Sequence, residues 1–597
     1  MVSVGEANLK TWRGGWDPQA FEDIDLIDCL ERRAGTSPED LLYIELMDGT
    51  NESARLTARE LRDRASDVAG ELADAGVRPG DVVLLIASPP IEFLIGLLGC
   101  MWAGVIAAPI SFPRRAEHLE SRLEPVRANA GAVAILAGTP QGPDETAILE
   151  LLAGGALPVA SIPDAPRRDL VAPQAERDIA YLQYTSGSTS DPRGVVVGQD
   201  NLMANLAVCD ALLDFDQGDV NVSWCPLTHD MGLIMGALPS IPFGMMSVLM
   251  PPAAFIRRPL TWLRAMDRYR GTHGYSPNFG YDLCVSRSTE EERAALDLSS
   301  VRTLINGAEP VRPTTRDAFL GAFAVSGLAP TAHAPGYGLA ESSVLVSAAA
   351  AGSHGSVVRL DAAALEMNEV VVRDGDDAGI RVLCADGVPG PGYDIRIVDP
   401  DTSMELPVGR VGELWVRGPS VCRGYWRRDS DHIFGAHLVD DDAGPYLRTG
   451  DLGFLYEGEI VICGRAKDLI VIRGRNIHPQ DVELTAEFAH PAVHSGGTAA
   501  FAVTDDQGVE SIAMLLEVSG EPDELDVLTA VSGAVLRDFE LHVLDVLLVK
   551  PYSVPKTSSG KKQRGAAREI WREARRGPKV SVGASPVPRP RTGPSSG

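Results

Sequence analysis

From residue 57 to residue 306 the chain switches repeatedly between the 3.6-residue period of an amphipathic helix and short, wholly apolar runs of strand length. Thr57 and Glu60 have the spacing of a capping box, and Leu61, Ala65, Val68, Ala69 and Leu72 then share one helical face. Gly76 and Pro79-Gly80 stop that helix, and Val82–Ile86 follows as a continuous apolar strand of the kind buried on both faces. Further strands are predicted at Val133–Leu136, Tyr181–Tyr184, Val222–Cys225, Ser247–Met250 and Thr303–Asn306, each separated by helical stretches. Strand and helix alternating in this way predict an α/β region with a largely parallel sheet.

Past about residue 385 the texture changes to short alternating strands, Tyr393–Val398 and Gly412–Val416, split by Gly and Pro turns. These suit a small antiparallel sheet or barrel. A further unit follows Gly464–Asp468: strand Leu469–Ile472, a helix from Pro479, strands near Phe501 and at Ile512–Val518, helix Leu525–Arg537 and strand Val546–Val549. The expected organisation is therefore a large N-terminal α/β domain over 1–465, whose last part from about 385 is a small β-barrel-like subdomain. A small, mobile α+β C-terminal domain over 466–577 and a disordered Pro/Gly/Ser-rich tail over 578–597 complete it.

Composition narrows the class. With 597 residues and 45% apolar content the chain is too long for one core. A net charge of −28 disfavours nucleic acid as a partner, since a duplex would be repelled. Eight cysteines without C-x-x-C pairs argue for reduced thiols in a cytoplasm rather than a disulfide framework or zinc site. The N-terminus shows no basic segment followed by an apolar run, so no export signal is read there. Phe93–Ile110 is apolar enough by count to span a membrane, but Gly96, Gly99, Gly104 and Pro109 interrupt it. The expected reading is a buried helix turning into a buried strand, with no integral membrane association.

The stretch Leu182–Gly194 packs small hydroxyl and glycine residues between an apolar strand and Arg193, and Val195–Val197 reads as a hairpin partner. Thr185 to Thr189 would then form a turn whose N–H groups and hydroxyls converge on an anion, without the spacing of the P-loop. Taken alone, such a cluster is more often a linker. Four further stretches follow in order: Ser223–Gly232, Gly336–Glu341, Tyr446–Leu452 with Gly464–Asp468, and Pro555–Lys561.

In this order and spacing the motifs resemble the adenylate-forming superfamily of acyl-CoA synthetases, carrier-protein adenylation domains and luciferases, over roughly residues 20–575. Pro277–Cys284, Asn306–Val311 and Ile472–Asp481 give it the wording of the fatty acyl-AMP ligases. About fifty residues between Glu341 and Pro391 resemble that subgroup's inserted segment, thought to hinder the domain swing needed for CoA transfer. The resemblance implies ATP and Mg²⁺ as cofactors, with Thr185, Ser186, Gly187, Ser188 and Thr189 on the β- and γ-phosphates and Glu341 on the metal. It places Gly307, Ala308, Glu309, Tyr337 and Gly338 about the adenine, Asp451 on the ribose hydroxyls and Arg465 nearby. Lys561 would bridge the carboxylate and the α-phosphate, and Lys467 would be the hinge. His229 has two readings, a gate of the acyl pocket or a satisfied core histidine.

Some positions depart from the wider family pattern. Ser190 and Arg193 stand where glycine and lysine are frequent, Ala340 where threonine is, and Thr228 where a bulky aromatic is. Met231, Met235, Met245, Met246 and Met250 suit either an adaptable acyl tunnel or a methionine-rich core. The basic run Lys561–Arg576 reads as a solvated helix or as a landing surface for an acidic carrier protein or the phosphates of CoA. The function implied is ATP-dependent activation of a hydrophobic carboxylic acid, fatty or polyketide-like, to acyl-AMP with release of pyrophosphate. Transfer to an acyl carrier protein's phosphopantetheine follows. A CoA ligase, weaker in its adenylation half, is the alternative, and a silent adenylate-binding protein is the third reading.

Overall fold

The structure, a computed structural model, describes residues 24–576 except 113–118, 156, 186–191, 354, 376–378, 440–443, 473–474, 505–509 and 558–559. The turn residues Ser186, Gly187, Ser188, Thr189 and Ser190, and the tail from 577, therefore lie outside the described residues. The chain divides into two compact units. The larger runs to Leu469 and takes in Gly474–His478 and Lys556–Lys561; the smaller holds Ile470–Arg473, Pro479–Pro555 and the residues from Lys562 onward. The sequence reading drew its boundary at 465/466 and assigned Lys561 to the C-terminal side.

Two sheets form the frame of the larger unit. One orders Val159–Ser161, Ala134–Ala137, Val82–Ile86, Ile106–Pro109, Ile179–Thr185 and Arg193–Gly198, all parallel except the last strand, which pairs antiparallel with Ile179–Thr185. The other has nine strands, of which His333–Gly338, Thr303–Asn306, His273–Ser276, Val220–Ser223, Met246–Leu249 and Leu41–Glu45 run parallel at its centre. The expected parallel α/β frame is present, and Val82–Ile86 is buried along its whole length.

Local signals place the helices. Thr57 caps helix Ala58–Asp74, with the Thr57 and Glu60 side chains each accepting the other's backbone N–H. The apolar run becomes helix Pro90–Trp102 followed by strand Ile106–Pro109. Gly99 lets this helix lie against helix Ala58–Asp74, since a Cβ there would come within 2.4 Å of Val68. Among the described residues no helix is long and apolar enough to cross a membrane.

Strand Val220–Ser223 sits two residues earlier than the sequence pattern predicts. Trp224 and Cys225 are buried in the core beyond its end rather than in the sheet. A four-stranded antiparallel sheet, Asp394–Val398, Gly412–Arg417, Leu447–Tyr456 and Glu459–Arg465, occupies the region past 385. Of the two forms expected there, the open sheet is the one observed. The segment after Glu341 adds an antiparallel strand pair, Val357–Asp361 with Ile380–Cys384, and helix Ala362–Glu366. Arg475 donates two bonds to Glu366, at 2.6 and 3.0 Å, within the larger unit.

The smaller unit packs Pro479–Ala489, Glu524–Phe539 and Arg564–Arg576 around strands Val493–Thr504, Glu510–Val518 and Val543–Val549. Ala499, Phe501, Ala513, Leu515, Ala567 and Trp571 form its apolar core. The basic run is split: its first residues turn inward, while Arg572 and Arg575 stay largely exposed. Lys562 and Arg564 reach the buried carboxylate of Glu483, and Arg575 pairs with Asp545 while lying over the Trp571 ring. All eight cysteines are buried free thiols.

Candidate active site

The hairpin of strands Leu447–Tyr456 and Glu459–Arg465 sets Asp451 opposite Arg465. The Arg465 Nε donates to Asp451 Oδ1 at 2.9 Å, and the Tyr337 hydroxyl, from the end of strand His333–Gly338, donates to Oδ2 at 2.9 Å. Asp451 is 5% exposed. Each of its oxygens therefore has one partner and, among the described residues, one acceptor position left. Burial, reinforced by the Asp451 charge, holds the Tyr337 phenol far above its ordinary pKa, so it stays a donor.

Strand His333–Gly338 then turns sharply. A Cβ on Gly338 would fall 1.6 Å from the Val344 carbonyl oxygen, so only glycine fits there. The 3₁₀ turn Ala340–Ser342 carries Glu341, and Ser343 follows at φ +62°, a conformation costly for a residue with a Cβ. The turn is held by a buried polar network. Asn205 donates to the Ser342 and Leu345 carbonyls and to the Ser420 hydroxyl, and Ser343 Oγ donates to the Ser420 carbonyl. The Glu341 side chain accepts from the Tyr425 hydroxyl at 2.7 Å. Arg193 lies over the Tyr425 ring, 5.5 Å from its centroid. A planar guanidinium suits that stacking better than an ammonium would.

Lys561 also belongs to the larger unit. Its N–H donates to Thr557 Oγ1 at 3.0 Å, and Gly560, at φ +87°, lets the backbone pass Phe279 where a Cβ would come within 2.4 Å of the ring. Burial and the neighbouring Arg465 lower the Lys561 pKa, while Asp230, Asp451 and Glu341 oppose them. Four charged groups from separate stretches of sequence thus act on one ammonium. Asp230 itself pairs with His229, with Nδ1 and Oδ1 2.6 Å apart. Burial would raise the Asp230 carboxyl, but His229 and Lys561 outweigh it and hold its pKa below the usual carboxylate range.

Thr185 ends strand Ile179–Thr185 in register with Arg193, and the residues of the expected phosphate turn after it are outside the described part. Gly307 is buried, with Ala308 at φ +69° and Glu309 half-buried, directly after strand Thr303–Asn306. Lys467 is exposed in the 3₁₀ turn Ala466–Asp468. Met231, Met235, Met245 and Met250 pack into the main apolar core, with Met246 half-buried at its edge. Burial in that core is common to both readings of these methionines. Sequence reasoning missed Tyr425 and Asp230. The first lay in the R-G-Y-W run at Arg423–Trp426, and the second adjoined His229 in a motif already singled out.

Among the described residues no cluster of three or more His, Cys, Asp or Glu could hold a metal ion. A single carboxylate such as Glu341 fits Mg²⁺, which binds through one or two carboxylates plus nucleotide phosphates rather than in an all-protein cage.

Comparison with known proteins gives a consistent picture. The family model "AMP-binding enzyme" matches residues 30–426, and the model "Disco-interacting protein 2-like, AMP domain" matches residues 467–576. The chain is 38% identical over 563 residues to the medium-chain-fatty-acid–[acyl-carrier-protein] ligase JamA of Moorena producens (strain JHB), covering 91% of this chain and 94% of that protein. A structure from work on the fatty acyl-adenylate ligases of E. coli and L. pneumophila superposes with a TM-score of 0.84 at 30% identity, covering 93% and 99% of the two chains. The L. pneumophila ligase in complex with acyl adenylate and pyrophosphate matches at a TM-score of 0.72 and 32% identity, covering 94% and 98%.

Proposed function

The chain belongs to the AMP-binding enzyme family, and from that premise we propose that it is a fatty acyl-AMP ligase that loads an acyl carrier protein. A hydrophobic carboxylic acid attacks the α-phosphorus of ATP, the new bond forming from carboxylate oxygen to phosphorus as the bond to pyrophosphate breaks. The carrier's phosphopantetheine thiol then attacks the acyl carbonyl carbon, and AMP leaves. Two anions must approach one another in the first step, so the site has to supply aligned donors and positive charge.

The observation that carries the reading is the geometry about Asp451 and Glu341. Tyr425 donates to Glu341 at 2.7 Å, and Arg465 and Tyr337 each donate to one Asp451 oxygen at 2.9 Å, leaving one acceptor position on each oxygen among the described residues. Those two positions suit the adjacent hydroxyls of a ribose, with the Tyr337 ring against the adenine beside Gly307, Ala308, Glu309 and Gly338. Thr185 and the turn after it would take the β- and γ-phosphates. Glu341 would hold Mg²⁺, which supplies charge neutralisation at the phosphates. Lys561 would bridge the attacking carboxylate and the α-phosphate, His229 with Asp230 would sit at the entrance of the acyl site, and Lys467 would be the hinge between the half-reactions. Support for the carrier protein as acceptor comes from the 38% identity to an acyl-carrier-protein ligase.

Acid-dependent exchange of pyrophosphate into ATP tests the adenylation half. Lys561→Ala is expected to cut that exchange by about 10²-fold or more, the worth of one transition-state donor, and a loss of less than about tenfold would remove Lys561 from this role. Intact-mass analysis with a carrier protein or CoA as acceptor separates the two thioester products, and acyl-CoA alone would overturn the carrier assignment.

A further inference from the structure

Tyr425 joins two parts of the larger unit that sequence keeps far apart. On one side its hydroxyl donates to Glu341 Oε1 at 2.7 Å, and the Cys422 N–H donates to the Glu341 carbonyl at 2.9 Å. On the other, the same segment is stitched to strand Arg193–Gly198. Val195 and Tyr425 form an antiparallel bridge, Trp426 N–H donates to the Gly194 carbonyl at 2.7 Å, and Val196 N–H donates to the Gly424 carbonyl at 2.9 Å. Arg193 caps the ring, and Phe434 packs edge-on against it at 5.2 Å. Tyr425 is 7% exposed, so packing holds its ring, and the bond to Glu341 directs its hydroxyl.

We propose that Tyr425 is a positioning residue: its hydroxyl holds the Glu341 carboxylate in the orientation that binds the nucleotide's divalent cation, and its ring ties that orientation to the hairpin of strands Ile179–Thr185 and Arg193–Gly198. The inference rests on the reading of Glu341 given above. A carboxylate whose one oxygen accepts a fixed hydroxyl presents the other in a defined direction, the arrangement by which outer partners tune metal ligands. The strained Ser343 and the buried Asn205–Ser342–Ser420 network hold the backbone of the turn, whereas Tyr425 is the group that reaches the carboxylate itself.

The test uses the full chain and Mn²⁺ as a spectroscopic substitute, with α,β-methylene-ATP. Tyr425→Phe keeps the ring, the Arg193 stacking and the core contacts. It is expected to weaken Mn²⁺ binding to the protein–nucleotide complex about tenfold by electron paramagnetic resonance, the usual cost of losing an outer partner. The Mg²⁺ concentration for half-maximal pyrophosphate exchange should rise in parallel. The rate at saturating Mg²⁺ and the thermal midpoint should stay near wild type. Lower rate and midpoint with unchanged Mn²⁺ affinity would mark Tyr425 as merely structural and overturn the proposal. Glu341→Gln is the control: if it too keeps Mn²⁺ binding, the reading of Glu341 fails and takes this proposal with it, whereas loss in Glu341→Gln beside wild-type binding in Tyr425→Phe overturns the proposal alone.

Discussion

Asp451 in the larger unit and Glu483 in the smaller are both buried carboxylates beside cations, yet they are finished differently. Glu483 Oε1 accepts from the Ala500 N–H at 3.0 Å and Arg564 Nε at 2.7 Å, and Oε2 accepts from Lys562 Nζ and Arg564 Nη2, both at 3.0 Å. A carboxylate offers about four acceptor positions, so Glu483 is saturated. Among the described residues the Asp451 carboxylate has two partners, one per oxygen. The difference teaches that ionic pairing by itself does not mark a binding site. What distinguishes Asp451 is unused hydrogen-bonding capacity beside the Tyr337 ring, whereas Glu483 spends its capacity on strand Val493–Thr504, Lys562 and helix Arg564–Arg576.

The largest expected effect breaks the saturated carboxylate. Glu483→Gln takes away the carboxylate that Lys562 and Arg564 share in the smaller unit, Lys562 keeping Glu487 at 3.2 Å, and should cost about 3 kcal/mol in urea unfolding at neutral pH. Burial would raise the Glu483 pKa, but Arg564 and Lys562 outweigh it and bring it down to about 2. A folded-state pKa below the unfolded value means that the stabilisation is present above about pH 4.5 and lost as pH falls toward about 2, so the gap between wild type and variant should close over that window. A gap that is constant with pH would show that the ion pair is not its source.

The unsaturated carboxylate should behave in the opposite way. Asp451→Asn is expected to raise the KM for ATP by about tenfold to a hundredfold, with little change in the unfolding midpoint, since hydrogen bonds to a charged group are worth about 1.5–3 kcal/mol. Wild type should discriminate against 2′-deoxy-ATP and the variant much less, because a site built to bond a hydroxyl rejects the analogue that lacks it. Equal discrimination by both proteins would detach Asp451 from the ribose. The smallest effect is expected from Tyr337→Phe, which removes one donor and keeps the ring. A change of about threefold to tenfold in kcat/KM for ATP, near the 1 kcal/mol of a single hydrogen bond, would place the tyrosine in support of Asp451. A loss as large as that of Asp451→Asn would make the two a single unit.

Much of the frame was legible in the chain because its signals are local. The Thr57–Glu60 capping box, the apolar strand Val82–Ile86 and the helix-then-strand reading of Phe93–Ile110 all depend on residues a few positions apart. Strand Val220–Ser223 was misplaced by two residues because apolarity was equated with strand. Its limits are set by pairing with Met246–Leu249 and His273–Ser276, while Trp224 stacks on Phe255 in the core, 3.9 Å between rings. The basic run at 561–576 shows the same limit, since a count of arginines does not reveal that Glu483 and Asp545 meet them.

The sequence by itself determined the alternation of strand and helix, the caps, and the ordered motifs that carry Glu341, Asp451, Arg465 and Lys561. These follow from backbone sterics, hydrophobic period and residue chemistry over short spans. Tertiary structure alone decided that Tyr337 bonds Asp451 across 114 positions, that Tyr425 bonds Glu341 across 84, and that Lys562 meets Glu483 across 79. Such pairs are fixed by how sheets and helices bury their apolar faces, and no period along the chain encodes which distant side chains that burial brings together.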